Sequence, residues 1–172
     1  MNVSYAIGAC LAAMLFAAAR PSTGSFAYSL VPDSSDNIHD AINRTVGSMN
    51  FIVRPIARGR LNRTNPTPQH MHVDLWHDSV GVSFDDGNAV VTPYNGVTSL
   101  WQNSLTHETY QAHMLLVGDT ICQFITAPDG VRENAYVFAD SARRLYLRVT
   151  VTSHHLPKPL EYTLAFRRDT DP

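Results

Sequence analysis

Residues 145–168 read LYLRVTVTSHHLPKPLEYTLAFRR, and apolar and polar side chains alternate through most of this stretch. A period of two places every second side chain on the same face of a β-strand. One face carries Leu145, Leu147, Val149 and Val151, and after the connection Leu160, Tyr162, Leu164 and Phe166. The stretch therefore predicts two adjacent antiparallel strands with a common apolar face, joined through the polar connection SHHLPKP.

The same alternation extends toward the N-terminus as far as residue 69. In the first of these segments Met71, Val73 and Leu75 share one face. Asp-Gly and Gly-Asp dipeptides separate several of the segments, and such pairs are typical of hairpin turns. Residues 69–168 are therefore predicted to form about eight short strands in an antiparallel up-and-down meander.

In residues 28–68 the apolar residues do not alternate, and their spacing and composition predict a helical leader and a linker. Ile38 and Ile42 begin an apolar stripe at helical spacing, and Ser34 or Ser35 is placed to cap the helix. The stretch RPIARGRL predicts a second short helix, and NRTNPTPQ has the composition of a linker.

These elements predict the fold class, because a sheet with one apolar face has to bury that face. The expected architecture is mainly β, with the N-terminal helix packed on an antiparallel up-and-down β-meander that curls into a barrel or half-barrel. Leader and meander form one folded domain, and residues 169–172 are left as a tail.

Residues 1–27 predict a signal peptide, since residues 5–19 form an apolar run too short for a comfortable transmembrane helix. Small residues before Tyr28 favour cleavage after Ala27. Cleavage after Ala19 and lipidation at Cys10 are the alternatives. The protein is expected to be periplasmic or secreted, with no transmembrane domain in the mature chain.

The helical leader followed by the meander, with the ending at residues 145–168, resembles exported bacterial lipocalin-like (calycin-like) β-barrel domains. The resemblance covers roughly residues 36–168 and is one of topology. It implies a β-barrel fold. An outer-membrane barrel is the rival fold, but the chain shows no aromatic girdles and ends in RRDTDP rather than on an aromatic residue.

The leading functional hypothesis is an exported, non-catalytic binding protein for a small hydrophobic ligand or a cell-envelope partner. If the sheet encloses a cavity, its predicted lining consists of Tyr110, Met114, Leu147, Val149, Tyr162 and Phe166. The alternative is that these side chains fill the core. The oligomeric state is left open by the sequence.

The alternative function is a metal-binding protein or metal-dependent enzyme that uses surface histidines. His70, His72 and Asp74 share one face of the first predicted strand, with the spacing of an H-x-H pair, and Zn²⁺ is the expected ion. That face points away from the core. His154 and His155 are adjacent on an extended connection and are expected to face opposite ways, as poor joint ligands.

Arginines form a second polar cluster. Arg54, Arg58, Arg60 and Arg63 lie in a segment of twenty residues, 44–63, that contains five arginines and no acidic residue. The cluster predicts a patch for an anionic group or an acidic partner. Nucleic acid is not expected as the partner, since the formal net charge is -2 and no aromatic residues interleave the arginines.

The chain lacks the common catalytic motifs. It contains no G-x-S-x-G elbow, no H-E-x-x-H helix and no glycine-rich phosphate loop. No catalytic residue is therefore predicted, an enzymatic activity is not favoured, and no cofactor is expected apart from the Zn²⁺ of the alternative hypothesis.

Overall fold

The computed structural model of the chain describes residues 23–85, 87–104 and 107–169. These residues form ten strands, two α-helices and one short 3-10 turn. The strands are β1 (Gly24–Leu30), β2 (His70–Leu75), β3 (Ser79–Phe84), β4 (Val90–Pro93), β5 (Ser99–Gln102), β6 (Thr109–Val117), β7 (Thr120–Ala127), β8 (Gly130–Ala139), β9 (Arg144–Ser153) and β10 (Leu160–Arg168). The helices are α1 (Ile38–Val46) and α2 (Arg54–Thr64), and the 3-10 turn is Pro32–Ser34.

The ten strands form one antiparallel sheet in the order β4-β3-β2-β1-β10-β9-β8-β7-β6-β5. The sheet curls into a nearly closed barrel, which confirms the predicted mainly β, up-and-down architecture. Its edge strands β4 and β5 approach each other without a continuous ladder. Side chains span the gap there: Asn88 Nδ2 donates to the Gln102 carbonyl at 2.8 Å, and Ser104 N donates to Asn88 Oδ1 at 2.9 Å.

Strand β1 was not predicted by the sequence pattern. It spans the boundary at Ala27 between the predicted signal peptide and the predicted helical leader. One edge pairs with β2 over residues 24–29, and the other pairs with β10 over residues 28–30. Because of β1, the helices lie between the first two strands rather than ahead of the whole sheet.

The two helices follow β1 and pack against one end of the core. Helix α1 buries Ile38 and Ile42, as its stripe predicted, but it ends at Val46, so FIV at residues 51–53 lies in the turn that follows. The helix is capped by Asn37 rather than by a serine, since Asn37 Oδ1 accepts from Asp40 N at 3.2 Å. None of the helices in the described part of the chain is long and apolar enough to span a membrane.

Helix α2 buries fewer residues than α1 does. Leu61 is its one fully buried residue, and Ala57 packs partly against the core. At its C-terminal end, Asn65 is buried and caps the helix by donating from both its backbone N and Nδ2 to the Leu61 carbonyl, each at 2.9 Å. Helix α2 therefore contacts the barrel mainly through its last turn.

Gly130 and Gly59 differ in the space available for a side chain. A Cβ added at Gly130, the first residue of β8, would lie 2.1 Å from the Thr152 carbonyl oxygen of the paired strand. A Cβ at Gly59 in α2 would meet no atom within 4 Å. We expect Gly130→Ala to lower the free energy of unfolding by about 1–3 kcal/mol through strain.

Gly59→Ala is the matched control. It should raise the free energy of unfolding by about 1 kcal/mol, since alanine is the better helix former. Urea denaturation of both variants checks the pair. Equal effects of the two substitutions would contradict the close approach of β8 and β9 at Gly130.

Candidate functional site

The six predicted lining residues lie on the inward face of the sheet. Met114, Leu147, Val149, Tyr162 and Phe166 are buried in one continuous core, and Tyr110 is half-buried and stacks on Trp101. Neighbouring strands bring the set together, because Leu147 pairs with Leu164 and Val149 with Tyr162. Side chains of α1 pack into the same core.

A polar cluster is embedded in this apolar face and centres on Arg132 of β8. The half-buried guanidinium donates from Nε to Asn134 Oδ1 at 2.9 Å and from Nη1 to Asn65 Oδ1 at 2.8 Å. Nη2 donates to the Tyr162 hydroxyl at 3.1 Å. All three partners are neutral. Within the described residues no carboxylate forms an ion pair with Arg132.

The cluster continues from Asn134 deeper into the barrel. Gln123 Oε1 accepts from Asn134 Nδ2 at 2.7 Å and from the Tyr136 hydroxyl at 2.9 Å. Tyr136 is completely buried, and loss of solvation raises the pKa of its hydroxyl well above the usual range. The hydroxyl therefore stays protonated and donates its hydrogen to Gln123.

Three inward-facing polar atoms have no hydrogen-bond partner among the described residues. They are Gln123 Nε2 on β7, Thr92 Oγ1 on β4 and Trp101 Nε1 on β5. A buried polar atom without a partner costs roughly 1–3 kcal/mol. Together with Arg132, these atoms give the barrel interior unused hydrogen-bonding capacity for a polar group.

The predicted metal residues lie on the outer face of the barrel. His70 and His72 of β2 are exposed, Asp74 is half-buried, and Met71 and Val73 between them point into the core. His70 Nδ1 lies 3.4 Å from the Ser29 hydroxyl. Among the described residues, the ligand atoms of these three side chains do not all lie within 4.8 Å of one another.

In the described part of the chain the possible metal ligands of another group do lie close together, and the sequence pattern did not predict this group. One ligand atom each from Asp129, His154 and His155 lies within 4.8 Å of the others. The two histidines follow β9 in a turn rather than in an extended segment, and their ring centroids are 3.8 Å apart. The expectation that they face opposite ways is therefore wrong. The hairpin register was the available signal, since Gly130 pairs with Ser153.

The predicted arginine patch lies on α2, and two of its four members have partners. Arg54 donates to the Met49 carbonyl from Nε at 3.2 Å and from Nη2 at 2.7 Å. Arg60 Nη2 donates to Asp129 Oδ2 at 2.8 Å, and this hydrogen bond lowers the pKa of the Asp129 carboxyl. Arg58 and Arg63 are exposed.

An apolar tip adjoins these arginines and was not foreseen from the sequence. It consists of Phe51, Ile52, Val53 and Ile56, whose exposed fractions are 77%, 65%, 44% and 72%. The first three project from the turn between α1 and α2, and Ile56 lies in the first turns of α2.

The chain is similar to known proteins in structure but not in sequence. No protein-family model matches the chain, and no curated protein is significantly similar to it in sequence. A mutant of the fatty acid transporter REP1-NXSQ matches with a TM-score of 0.52 and 13% identity, over 86% of this chain and 97% of that chain.

The fatty-acid-binding protein of Manduca sexta matches with a TM-score of 0.51 and 12% identity, over 86% of this chain and 99% of that chain. A fatty-acid-binding protein from the brain of Drosophila melanogaster gives 0.49 and 13%, over 86% and 99%. At these identities the similarity to the two structures with TM-scores of 0.52 and 0.51 is one of fold alone.

Proposed function

We propose that the protein is a non-catalytic carrier that holds a small amphipathic acid in its barrel, with the acidic group at Arg132. The observation that carries this proposal is the inward-facing guanidinium whose described partners, Asn65, Asn134 and Tyr162, are all neutral. A partly desolvated cation is strongly stabilised by a bidentate carboxylate. The core around it supplies the apolar surface for a hydrocarbon tail.

Two further observations support an acidic amphiphile. The unpartnered Gln123 Nε2 is a hydrogen-bond donor on the inward face, in the same network as Arg132 through Asn134. The two solved structures with TM-scores of 0.52 and 0.51 are a fatty acid transporter and a fatty-acid-binding protein. A ligand class of this kind accounts for both the charge and the apolar interior.

Entry of such a ligand requires the packed interior to open, and α2 is the element best placed to move. Its contact with the core is limited to Leu61 and the partly buried Ala57. Asn65, which ends the helix, bonds directly to Arg132, so movement of α2 would uncover the guanidinium. Elements with few buried contacts open at lower free-energy cost than the rest of a fold.

The substitution Arg132→Gln tests the acidic-ligand hypothesis. It should weaken binding of palmitate about tenfold or more, because a hydrogen bond to a charged group contributes about 1.5–3 kcal/mol. Binding of hexadecanol, which has the same chain and no charge, should change little. Titration calorimetry of both ligands measures the difference.

Arg148→Gln is the matched control, since Arg148 pairs with Ala135 and Thr163 on the opposite, outer face. It should bind palmitate as the unmodified protein does. If Arg132→Gln weakened both ligands equally, or if neither ligand bound the unmodified protein, the proposed role of Arg132 would be wrong.

We further propose that the cell-envelope partner of this carrier is an anionic lipid surface. The apolar tip and the arginines beside it would contact that surface. Exposed large apolar side chains next to unpaired cations are typical of interfacial membrane binding. Arg44, Arg58 and Arg63 are exposed, and the surrounding segment carries no acidic residue. The tip adjoins α2, so docking and ligand exchange would occur at the same end of the barrel.

A double substitution of the tip, Phe51→Ser with Ile56→Ser, should lower partitioning onto phosphatidylglycerol vesicles about tenfold or more, given roughly 1.5–3 kcal/mol for burying a large apolar side chain. Because both residues are mostly exposed, the melting temperature should stay unchanged. Leu100→Ser on β5 is the control, since Leu100 is 76% exposed but far from the arginines in sequence. Equal loss in both variants on vesicle sedimentation would exclude specific docking by the tip.

Export remains our proposal for the location, with cleavage after Ala19 now favoured. The supporting apolar run, residues 5–19, lies outside the described residues. Cleavage after Ala27 would remove residues 24–27, four of the six β1 positions that pair with β2. It would also remove Phe26, which is buried in the core.

We therefore expect the mature chain to begin at Arg20. Intact-mass analysis of C-terminally tagged protein from the periplasmic fraction of a Gram-negative host measures this directly. A mass that starts at Tyr28 would contradict the role given to β1, and a lipid-modified Cys10 would show the third alternative. Recovery of the uncleaved chain inside the cell would overturn export.

A further inference from the structure

The two loops at one end of the barrel bring together three side chains with metal-ligating atoms. Asp129 lies in the turn between β7 and β8, and His154 and His155 follow β9. Gly130 pairs with Ser153, so the residues just beyond that pair, Asp129 and His154, are held side by side by the sheet. The backbone register, and not chance contact of mobile side chains, therefore sets the position of the group.

The chemistry of the group fits a divalent transition-metal ion. Two imidazoles and one carboxylate are a ligand set that suits Zn²⁺, with bonds of about 2.0–2.2 Å and a fourth position left for water. Within the described residues, no hydrogen bond engages a ring nitrogen of His154 or His155. A shallow depression lined by residues 127–131 and 152–154 adjoins the group and gives an ion access from solvent.

We propose that Asp129, His154 and His155 form a binding site for Zn²⁺ or a similar divalent ion, and that the ion competes with Arg60 for the Asp129 carboxylate. Arg60 reaches Asp129 Oδ2 from α2 at 2.8 Å and forms the ion pair that links this helix to the β7–β8 turn. A guanidinium bound to the same carboxylate repels a dication that approaches it. Binding of the ion therefore displaces Arg60 and frees α2 from the turn.

The competition gives the proposal a directional test. Removing a ligand should weaken binding, whereas removing Arg60 should strengthen it. His154→Ala, His155→Ala and Asp129→Asn are each expected to lower Zn²⁺ affinity about tenfold or more, as even outer-sphere changes cost 10–100-fold. Arg60→Gln is expected to raise the affinity several-fold.

The experiment is titration calorimetry of the tag-free chain with ZnCl₂ in a buffer that does not chelate the ion. His70→Ala and His72→Ala are the matched controls, because both remove an exposed histidine from β2. They should leave a single site of unchanged affinity. Co²⁺ added in place of Zn²⁺ should give the intense visible absorption of a tetrahedral site, and the ligand variants should lose it.

Three results would overturn the proposal. The first is the absence of binding by the unmodified protein, and the second is loss of binding in the His70 or His72 variant rather than in the His154 and His155 variants. The third is an unchanged or lower affinity in Arg60→Gln, which would refute competition for Asp129. Both histidines are exposed and Asp129 is only half-buried, so melting curves should show that all variants fold. The Zn²⁺ titration needs no ligand in the barrel and the palmitate titration needs no ion, so failure of one proposal can be told from failure of the other.

Discussion

Strand β1 hydrogen-bonds to β2 along one edge and to β10 along the other, and this double pairing joins strands β2–β4 to strands β5–β10 in one sheet. Without β1 the two groups of strands would be separate sheets, and the nearly closed barrel could not form. The same pairing fixes the helices, since the chain has to leave the end of β1 at Leu30 and return to the start of β2 at His70. Helices α1 and α2 form that return and cover the end of the barrel at which Arg132 lies.

The polar cluster around Arg132 imposes the second constraint. A cation placed among apolar side chains is tolerated only when hydrogen bonds replace its lost hydration. Asn65 supplies a bond from the C-terminal cap of α2, Asn134 from β8 and Tyr162 from β10, so one guanidinium links the helical cover to two strands. Neutral partners compensate the lost hydrogen bonds but not the charge, and this is the physical basis of the proposal of an acidic ligand.

Eight of the ten strands could be predicted: seven have six or more residues, enough for alternation to define an apolar face, and β4, with four, was predicted from the Asp-Gly pair that follows β3. Strand β5 has four residues, too few for a pattern, and β1 resembles the small-residue end of a signal peptide. The apolar lining was also predictable, but Arg132 was not. In VRENAYVFA the apolar Val131 and Ala135 alternate with Arg132 and Asn134, so the strand alone suggests the opposite orientation. Only the pairing of Asn134 with Val149 turns the polar side chains inward.

The pairing of β1 with β10 joins the first described strand to the last, and the Ser29 side chain reaches Asp169 across 140 residues of chain. Contacts between residues so far apart form late, because a long loop has to close before they stabilise anything. A nascent chain therefore cannot complete the barrel until β10 has left the ribosome.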